Sequence, residues 1–320
     1  MRLPSRKNGR RRLEETKLTS VPRRRWLAKT YALAQPLAVI SLISIMLFSA
    51  ALEFSTPLHH DVLWYLIAAR TFIQGGTLYK TVIDPNPPFI VLFSLISILL
   101  ADLLVISADF AFRLLVFAVT GLSLFLTWSL LARIEVLEQV ERLLLLISTA
   151  WILTAAAHPY FGQREHLLIV FSLPYLVIVM GRSLGLAAPL PLYIVAGAMM
   201  ALGICMKPFY LLPFLMGEIA ALGKAQCFIT LFRRPDLLTA GIVGFIYTVT
   251  VMVLWPEYYR VVIPLVRDTY GAYSVSSWTQ IVYKRQVFEL VLVPFLCVRS
   301  PMWRGLRALP QWHSVPTFVF

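Results

Sequence analysis

The sequence predicts an all-α polytopic membrane protein with about eight or nine transmembrane helices, because its apolar residues are both abundant and arranged in long blocks. Hydrophobic residues make up 59% of the 320 residues, and charged residues make up only 14%. Soluble domains carry about a quarter charged residues and about half apolar ones. The blocks run for roughly 15–22 residues, which is the length a helix needs to cross a bilayer. A soluble core would show the shorter periods of amphipathic helices or strands instead.

The first element is a basic tail, residues 1–30, placed directly before the first apolar block. Eleven of the 29 Lys and Arg residues lie between Arg2 and Lys29, in a chain of net charge +13. Such a tail keeps the N-terminus in the cytoplasm and attracts anionic headgroups. No aromatic platform accompanies it, so we expect a membrane lipid as partner and no nucleic acid. The following block is too long for a signal peptide and predicts a retained anchor in the plasma (inner) membrane.

The remaining blocks build a transmembrane domain over residues 31–298, followed by a cytoplasmic tail, 299–320. The block at 89–106 contains Asp102 and predicts either a full span or a short helix dipping into the outer leaflet. Loop Lys and Arg residues favour the dip by nine to seven. With that topology, three polar segments lie on the outer face: 53–88, 158–166 and 256–285. The apolar blocks are 31–52, 89–106, 110–131, 143–157, 167–181, 190–206, 208–222, 236–255 and 286–298.

The first outer segment, 53–88, contains the first candidate catalytic residue. Residues 61–74 have the apolar spacing of a helix lying along the membrane interface, closed by Gly75 and Gly76. Asp61 begins this helix, and a carboxylate at the membrane surface can act as a general base or hold a divalent cation. The alternative is an N-cap that satisfies free backbone N–H groups. The two roles are compatible.

The second outer segment, 158–166, gathers ionisable side chains between two apolar blocks. It contains His158, Arg164, Glu165 and His166. Charged groups beside spans are costly unless they face water, a ligand or one another. A solvated loop with an Arg–Glu pair is the structural alternative. His166 and Glu165 could also join the His59-His60-Asp61 group as metal ligands, although their spacing is not that of a zinc motif.

Two later features extend this set. Lys207 ends an apolar block, so its side chain either snorkels to the headgroups or pairs with a lipid phosphate. The segment 256–285 is rich in Tyr and Trp. That composition is typical of an interfacial belt, and a loop that covers a glycan or headgroup is the rarer interpretation.

The order of residues in the first outer segment resembles a known family. Asp61 is followed by Trp64-Tyr65, Arg70, Gly75-Gly76, Tyr79 and then the run Asp84-Pro85-Asn86-Pro87-Pro88. This pattern resembles the first outer loop of the GT-C-fold glycosyltransferases, which include protein O-mannosyltransferases and bacterial aminoarabinose transferases acting on lipid A. In that superfamily an acidic residue just beyond the first span is essential, and a second acidic motif follows two spans later.

The resemblance implies an activity and a set of site residues. The donor would be a polyprenyl-phosphate-linked sugar, and the acceptor a cell-envelope molecule on the outer face. Asp61 and Glu165 would be the catalytic carboxylates, although relatives usually carry Asp at the second position. Arg164 and Lys207 would contact the phosphate, with the other substrate-binding residues being His60, Tyr65, Asp84 and Asn86. Some members use a divalent cation, for which Asp61 and His166 are candidate ligands.

Two other classes of function remain open at this stage. A transporter or flippase would line a pathway with its intramembrane charges. A non-catalytic scaffold or a remnant of the family would keep the architecture without the chemistry. Signatures of soluble enzymes, such as a Walker A loop or G-x-S-x-G, are absent from the sequence. A substrate already at the membrane therefore fits best.

Overall fold

The computed structural model describes residues 33–182, 184–221 and 233–273, and within these ranges the chain is helical with no strand. Ten α-helices follow one another, with two short 3-10 turns and one π-helical turn between them. Their bounds are α1 Leu33–Ser55, α2 His60–Ile73, α3 Phe89–Leu104, α4 Ala108–Leu131, α5 Gln139–Leu153, α6 Arg164–Arg182, α7 Leu190–Met206, α8 Leu211–Ala221, α9 Pro235–Leu254 and α10 Ile263–Tyr273; the turns are Ala155–Ala157, Pro208–Tyr210 and Tyr258–Val262.

Five of the described helices are long and apolar enough to cross a membrane: α1, α4, α5, α6 and α9. Large apolar side chains point outward from them, including Leu37 at 60% exposure and Phe245 at 70%. An exposed apolar surface of this extent marks a lipid-facing protein. The prediction of a helical, membrane-embedded chain is therefore confirmed at this level. The predicted block at 286–298 and both terminal tails lie outside the described residues.

Side-chain contacts define two ends of the helix bundle. At the first, the Ser49 hydroxyl at the end of α1 donates to Thr154, and Arg113 near the start of α4 donates to the Thr56 carbonyl at 2.6 Å. Lys207, which follows α7, pairs with Glu165 at the start of α6. We call this end, which also carries Asp61, the Asp61 end. Helices α1, α5 and α7 finish there, whereas α4 and α6 begin there.

The opposite end, the Arg182 end, is held by a buried ion-pair network. Arg182 closes α6 and pairs with both Glu218 of α8 and Asp236 of α9. Arg234 also pairs with Glu218, which accepts a hydrogen bond from the Tyr175 hydroxyl. Two cations and two carboxylates balance, and such pairing is what makes buried charge tolerable. The network lies at the far end of α6 from Arg164 and Glu165. No spacing in the sequence predicts these pairs, since the partners are distant along the chain.

Helix α3, the doubtful block at 89–106, does not run from one end of the bundle to the other. It begins just after Asn86, whose side chain contacts Arg164 at the head of α6. It ends just before α4, whose first turns touch Thr56. Both of its termini therefore belong to the Asp61 end. The Arg70 guanidinium of α2 donates two hydrogen bonds of 2.8 and 2.9 Å to the Asp102 carboxylate of α3, which joins the last turns of the two helices.

Helix α2 starts one residue earlier than the sequence predicts, and its cap is not Asp61. The imidazole Nδ1 of His59 accepts from the Asp61 backbone N–H at 3.3 Å, so His59 is the N-cap. Asp61 lies in the first turn, where a negative charge complements the helix dipole. The capping alternative for the Asp61 side chain is therefore wrong. One face of α2 is buried, and Trp64 and Ile67 on another face are 43% and 55% exposed.

Candidate functional site

Arg164, the first residue of α6, attaches the first outer segment to the bundle. Its Nη1 donates to the Asn86 side-chain oxygen, and its guanidinium carbon lies 5.9 Å from the centre of the Tyr65 ring. A guanidinium over an aromatic face gains cation–π attraction. This one side chain therefore joins α6 to both α2 and the Asp84–Pro88 run. The sequence prediction that Arg164 and Asn86 belong to one site agrees with this geometry.

The Asp84-Pro85-Asn86 turn is held by a hydrogen bond of its own and also contacts Arg164. The Asp84 Oδ1 accepts from the Asn86 backbone N–H at 2.7 Å, and the Asn86 carbonyl accepts from the Tyr79 hydroxyl at 2.8 Å. Asp84 is 1% exposed, and its Oδ2 is buried with no hydrogen-bond partner among the described residues. Burial raises the pKa of the Asp84 carboxyl, while the Asn86 N–H, the Trp64 indole and the Arg164 charge oppose that rise. A buried carboxylate of this kind, left half-satisfied, is a feature of functional sites.

Aromatic rings from two distant segments line the same region. Tyr79 sits at a positive φ of 68° in the first outer segment, with its ring centre 5.2 Å from that of Tyr258. Burial raises the pKa of Tyr258 to about 12 and raises that of Tyr65 as well, so both hydroxyls stay neutral donors. The Lys80 ammonium also pairs with the Glu257 carboxylate at 2.8 Å. The described start of the 256–285 segment therefore packs against the first outer segment. The 256–285 segment also contains a helix, α10, that its polar sequence did not predict.

Glu165 and Lys207 form an ion pair between α6 and α7. The Lys207 side chain is only 13% exposed, and its ammonium also lies 5.5 Å from the Phe209 ring centre and 5.8 Å from that of Tyr210. Lys207 thus turns back into the protein and does not snorkel outward. Its charge is already matched by a carboxylate. A negative substrate group would have to share Lys207 with Glu165.

The Asp61 side chain is 41% exposed, about as much as that of Glu165 at 45%. Its carboxylate lies 3.2 Å from Nε2 of His60 and 3.8 Å from Nδ1 of His59. One ligand atom from each of these three residues lies within 4.8 Å of the others, so they could hold a metal ion together. Imidazole and carboxylate ligands suit zinc and related divalent ions. Tyr65 is close enough to both Asp61 and Arg164 for their charges to act on its hydroxyl.

His166 has a different role from the one expected of a metal ligand. Its Nδ1 accepts from the Gly162 backbone N–H at 3.1 Å, and its Nε2 lies 2.7 Å from the Leu153 carbonyl. The ring is therefore occupied on both nitrogens and holds the 158–166 segment in place. The metal hypothesis is left to the His59–Asp61 group. Nearby, His158 contacts the buried Glu53 carboxylate at 3.0 Å, a pairing that the sequence gave no spacing signal for.

The structure thus assembles most of the predicted site residues at the Asp61 end. Arg164 directly contacts Asn86 and Tyr65, and Asp84 lies within reach of its charge. Glu165 and Lys207 contact each other beside this group, whereas Asp61 and His60 form the adjoining, more exposed side. Asp61 and Glu165 share no direct contact within the described residues. The arrangement combines an accessible carboxylate, two cations and several aromatic rings, which can accept a proton and bind a polar, anionic substrate.

No protein-family model, curated protein or solved structure matches this chain.

Proposed function

We propose that the protein is a membrane glycosyltransferase that moves a sugar from a polyprenyl-phosphate donor to a cell-envelope acceptor on the outer face. The observation that carries the proposal is the docking of Asn86 on Arg164. This contact brings the segment that follows the first span against the head of α6, so carboxylates and cations from distant parts of the sequence meet at one end of the bundle. The GT-C resemblance of the first outer segment supports the same function.

Each of the site side chains has a separate role in such a transfer. Asp61, exposed and next to two imidazoles, takes the proton from the acceptor hydroxyl or stabilises positive charge on the departing sugar. The Arg164 guanidinium offsets the negative charge that develops on the lipid phosphate as the glycosidic bond breaks. Lys207 assists at the cost of loosening its pair with Glu165. A divalent cation, where used, would sit on the His59–Asp61 group and neutralise phosphate charge.

The distribution of charge favours this reaction over transport. In the described part of the chain, charged side chains of the long helices lie near helix ends, such as Arg113 in α4, Arg182 in α6 and Asp236 in α9. Transporters place substrate and ion sites near the bilayer midplane, on broken helices. The Glu218 and Asp236 carboxylates at the Arg182 end are buried and paired with Arg182 and Arg234, so in the described residues they do not extend a polar path toward the Asp61 end.

The test is transfer of labelled sugar from polyprenyl-phosphate donors into the envelope fraction of membranes that carry the protein. Asp61→Asn keeps the shape of the side chain and removes its basicity, so we expect transfer to fall by about 100-fold or more. Asp268→Asn is the matched control, because Asp268 is exposed and contacts only its neighbour Arg267 among the described residues. Equal transfer by the wild type and Asp61→Asn at matched expression would remove Asp61 from the mechanism. Absence of transfer from every donor would contradict the proposed function itself.

A further inference from the structure

The Asp84 side chain is buried, which is not the environment of a group that contacts substrate. It is 1% exposed, so nothing reaches its carboxylate from outside without opening the loop. One oxygen is fixed by the Asn86 N–H at 2.7 Å, and the Arg164 charge lies close enough to influence its ionisation. The side-chain oxygen of Asn86, which belongs to the same loop, accepts a hydrogen bond from Arg164 Nη1. Asp84 therefore acts on the site through Arg164.

Asp84 and Asn86 influence Arg164 in two different ways. The Asn86 amide is neutral and fixes the direction of the guanidinium. The Asp84 carboxylate lies close enough to Arg164 for the two charges to interact, and a negative charge near a guanidinium weakens its attraction for another anion. Other groups facing Asp84 are the Trp64 indole and the neutral hydroxyls of Tyr65, Tyr79 and Tyr258, none of which carries a positive charge.

We propose that Asp84 is a positioning residue that limits how tightly Arg164 holds the lipid phosphate, and so promotes release of the polyprenyl-phosphate product. This inference rests on the proposed function. An unopposed arginine beside a phosphate dianion would bind the product strongly, since charge-assisted pairs gain strength in a poorly solvated site. A product that stays bound blocks the next cycle, and release often limits turnover. The Asp84 charge weakens this attraction without removing the guanidinium from the site.

The inference predicts opposite effects for two neighbouring substitutions. Asp84→Asn keeps an oxygen to accept from the Asn86 N–H but removes the charge, so affinity for a short-chain polyprenyl monophosphate should rise on the order of tenfold. Asn86→Ala removes the hydrogen bond that directs Arg164, so affinity should fall. A purely structural role for Asp84 predicts a fall in both variants, because each would then loosen the same turn.

The experiment measures binding of a short-chain polyprenyl monophosphate to the purified full chain in lipid nanodiscs at pH 8, with Asp268→Asn as control. The same preparations are assayed for sugar transfer, where Asp84→Asn should show stronger inhibition by the added product. Tighter binding by Asp84→Asn together with weaker binding by Asn86→Ala supports the inference. Unchanged or weaker binding by Asp84→Asn overturns it while sugar transfer by the wild type upholds the proposed function. A wild-type protein that neither transfers sugar nor binds the monophosphate overturns both.

Discussion

The two carboxylates expected to be catalytic, Asp61 and Glu165, have different electrostatic partners. Glu165 is neutralised by the Lys207 ammonium within the bundle. Asp61 faces two imidazoles, so in the described part of the chain it can reach an acceptor without breaking an ion pair with Lys or Arg, whereas Glu165, although 45% exposed, cannot. A carboxylate that is paired with a lysine has to give up that pair before it can take a proton from an acceptor, and breaking a partly buried pair is costly. This difference favours Asp61 as the base and makes Glu165 the group that holds Lys207.

Gly162 is a single position at which the geometry of the site can be tested through stability. Its φ is +78°, and a Cβ there would lie 2.5 Å from a ring carbon of Phe112, which is 0% exposed. Its N–H also donates to His166. Gly162→Ala should therefore destabilise the fold by about 1–3 kcal/mol, through backbone strain and the displaced ring. The thermal midpoint in detergent measures this change.

Gly75→Ala provides the comparison for this residue. Gly75 has a φ of +92°, but nothing in the part of the chain that the structure describes lies within 4 Å of an added Cβ, so its substitution brings backbone strain without a clash there. We expect Gly162→Ala to lower the midpoint more than Gly75→Ala does. Equal shifts would mean that the Phe112 ring moves aside freely, and would weaken the assignment of Gly162 as the close contact that seats the 158–166 segment.

At the scale of elements, α7 and α9 pack with their backbones almost touching. A Cβ on Gly197 of α7 would lie 2.1 Å from the Asp236 carbonyl oxygen near the start of α9. Small residues at such crossings let helices approach closely in membranes, where van der Waals packing replaces the hydrophobic drive. The contact also brings Asp236 to Arg182, so the buried network at the Arg182 end depends on it.

Gly197→Ala should therefore separate α7 from α9 and destabilise the protein by about 1–3 kcal/mol, because the new methyl meets backbone that cannot rotate away. Gly244→Ala in α9 is the matched control, since no described residue comes within 4 Å of its added Cβ. Alanine there should leave stability unchanged or raise it by up to about 1 kcal/mol, through helix propensity. Thermal unfolding of the two variants in the same detergent compares them. A neutral Gly197→Ala would argue against this crossing.

For the whole molecule, local patterns predicted the helices better than they predicted contacts between them. Long apolar blocks identified α4 and α9 within a few residues, because length and hydropathy are local properties. The sequence prediction also grouped Asn86 with Arg164, and these two side chains are in contact. The ion pairs between Glu53 and His158, or between Arg182 and Asp236, join residues far apart in sequence. No spacing rule reports such pairs, since they depend on how the helices pack.

Topology is also poorly determined by local patterns, because the loop charges favour a non-crossing α3 only by nine to seven. Single-cysteine labelling tests it. With the native cysteines replaced, Ile83→Cys and Tyr160→Cys mark the Asp61 end, and Val136→Cys marks the Arg182 end; the three native side chains are 55%, 59% and 54% exposed. Ser107→Cys lies just beyond α3. If α3 turns back as its contacts indicate, a membrane-impermeant maleimide should label Ser107→Cys from the same side as Ile83→Cys.

In intact cells we expect the reagent to label Ile83→Cys, Tyr160→Cys and Ser107→Cys, and to reach Val136→Cys only after permeabilisation. This result follows from a cytoplasmic N-terminus, because α1 then delivers the Asp61 end to the outer face, where lipid-linked sugars would be used. Labelling of Ile83→Cys and Val136→Cys in intact cells, with Ser107→Cys reached only after permeabilisation, would make α3 a full span, because α4 separates Ser107 from Val136. Labelling of Val136→Cys alone in intact cells would reverse the whole orientation, and would place the proposed site on the cytoplasmic face.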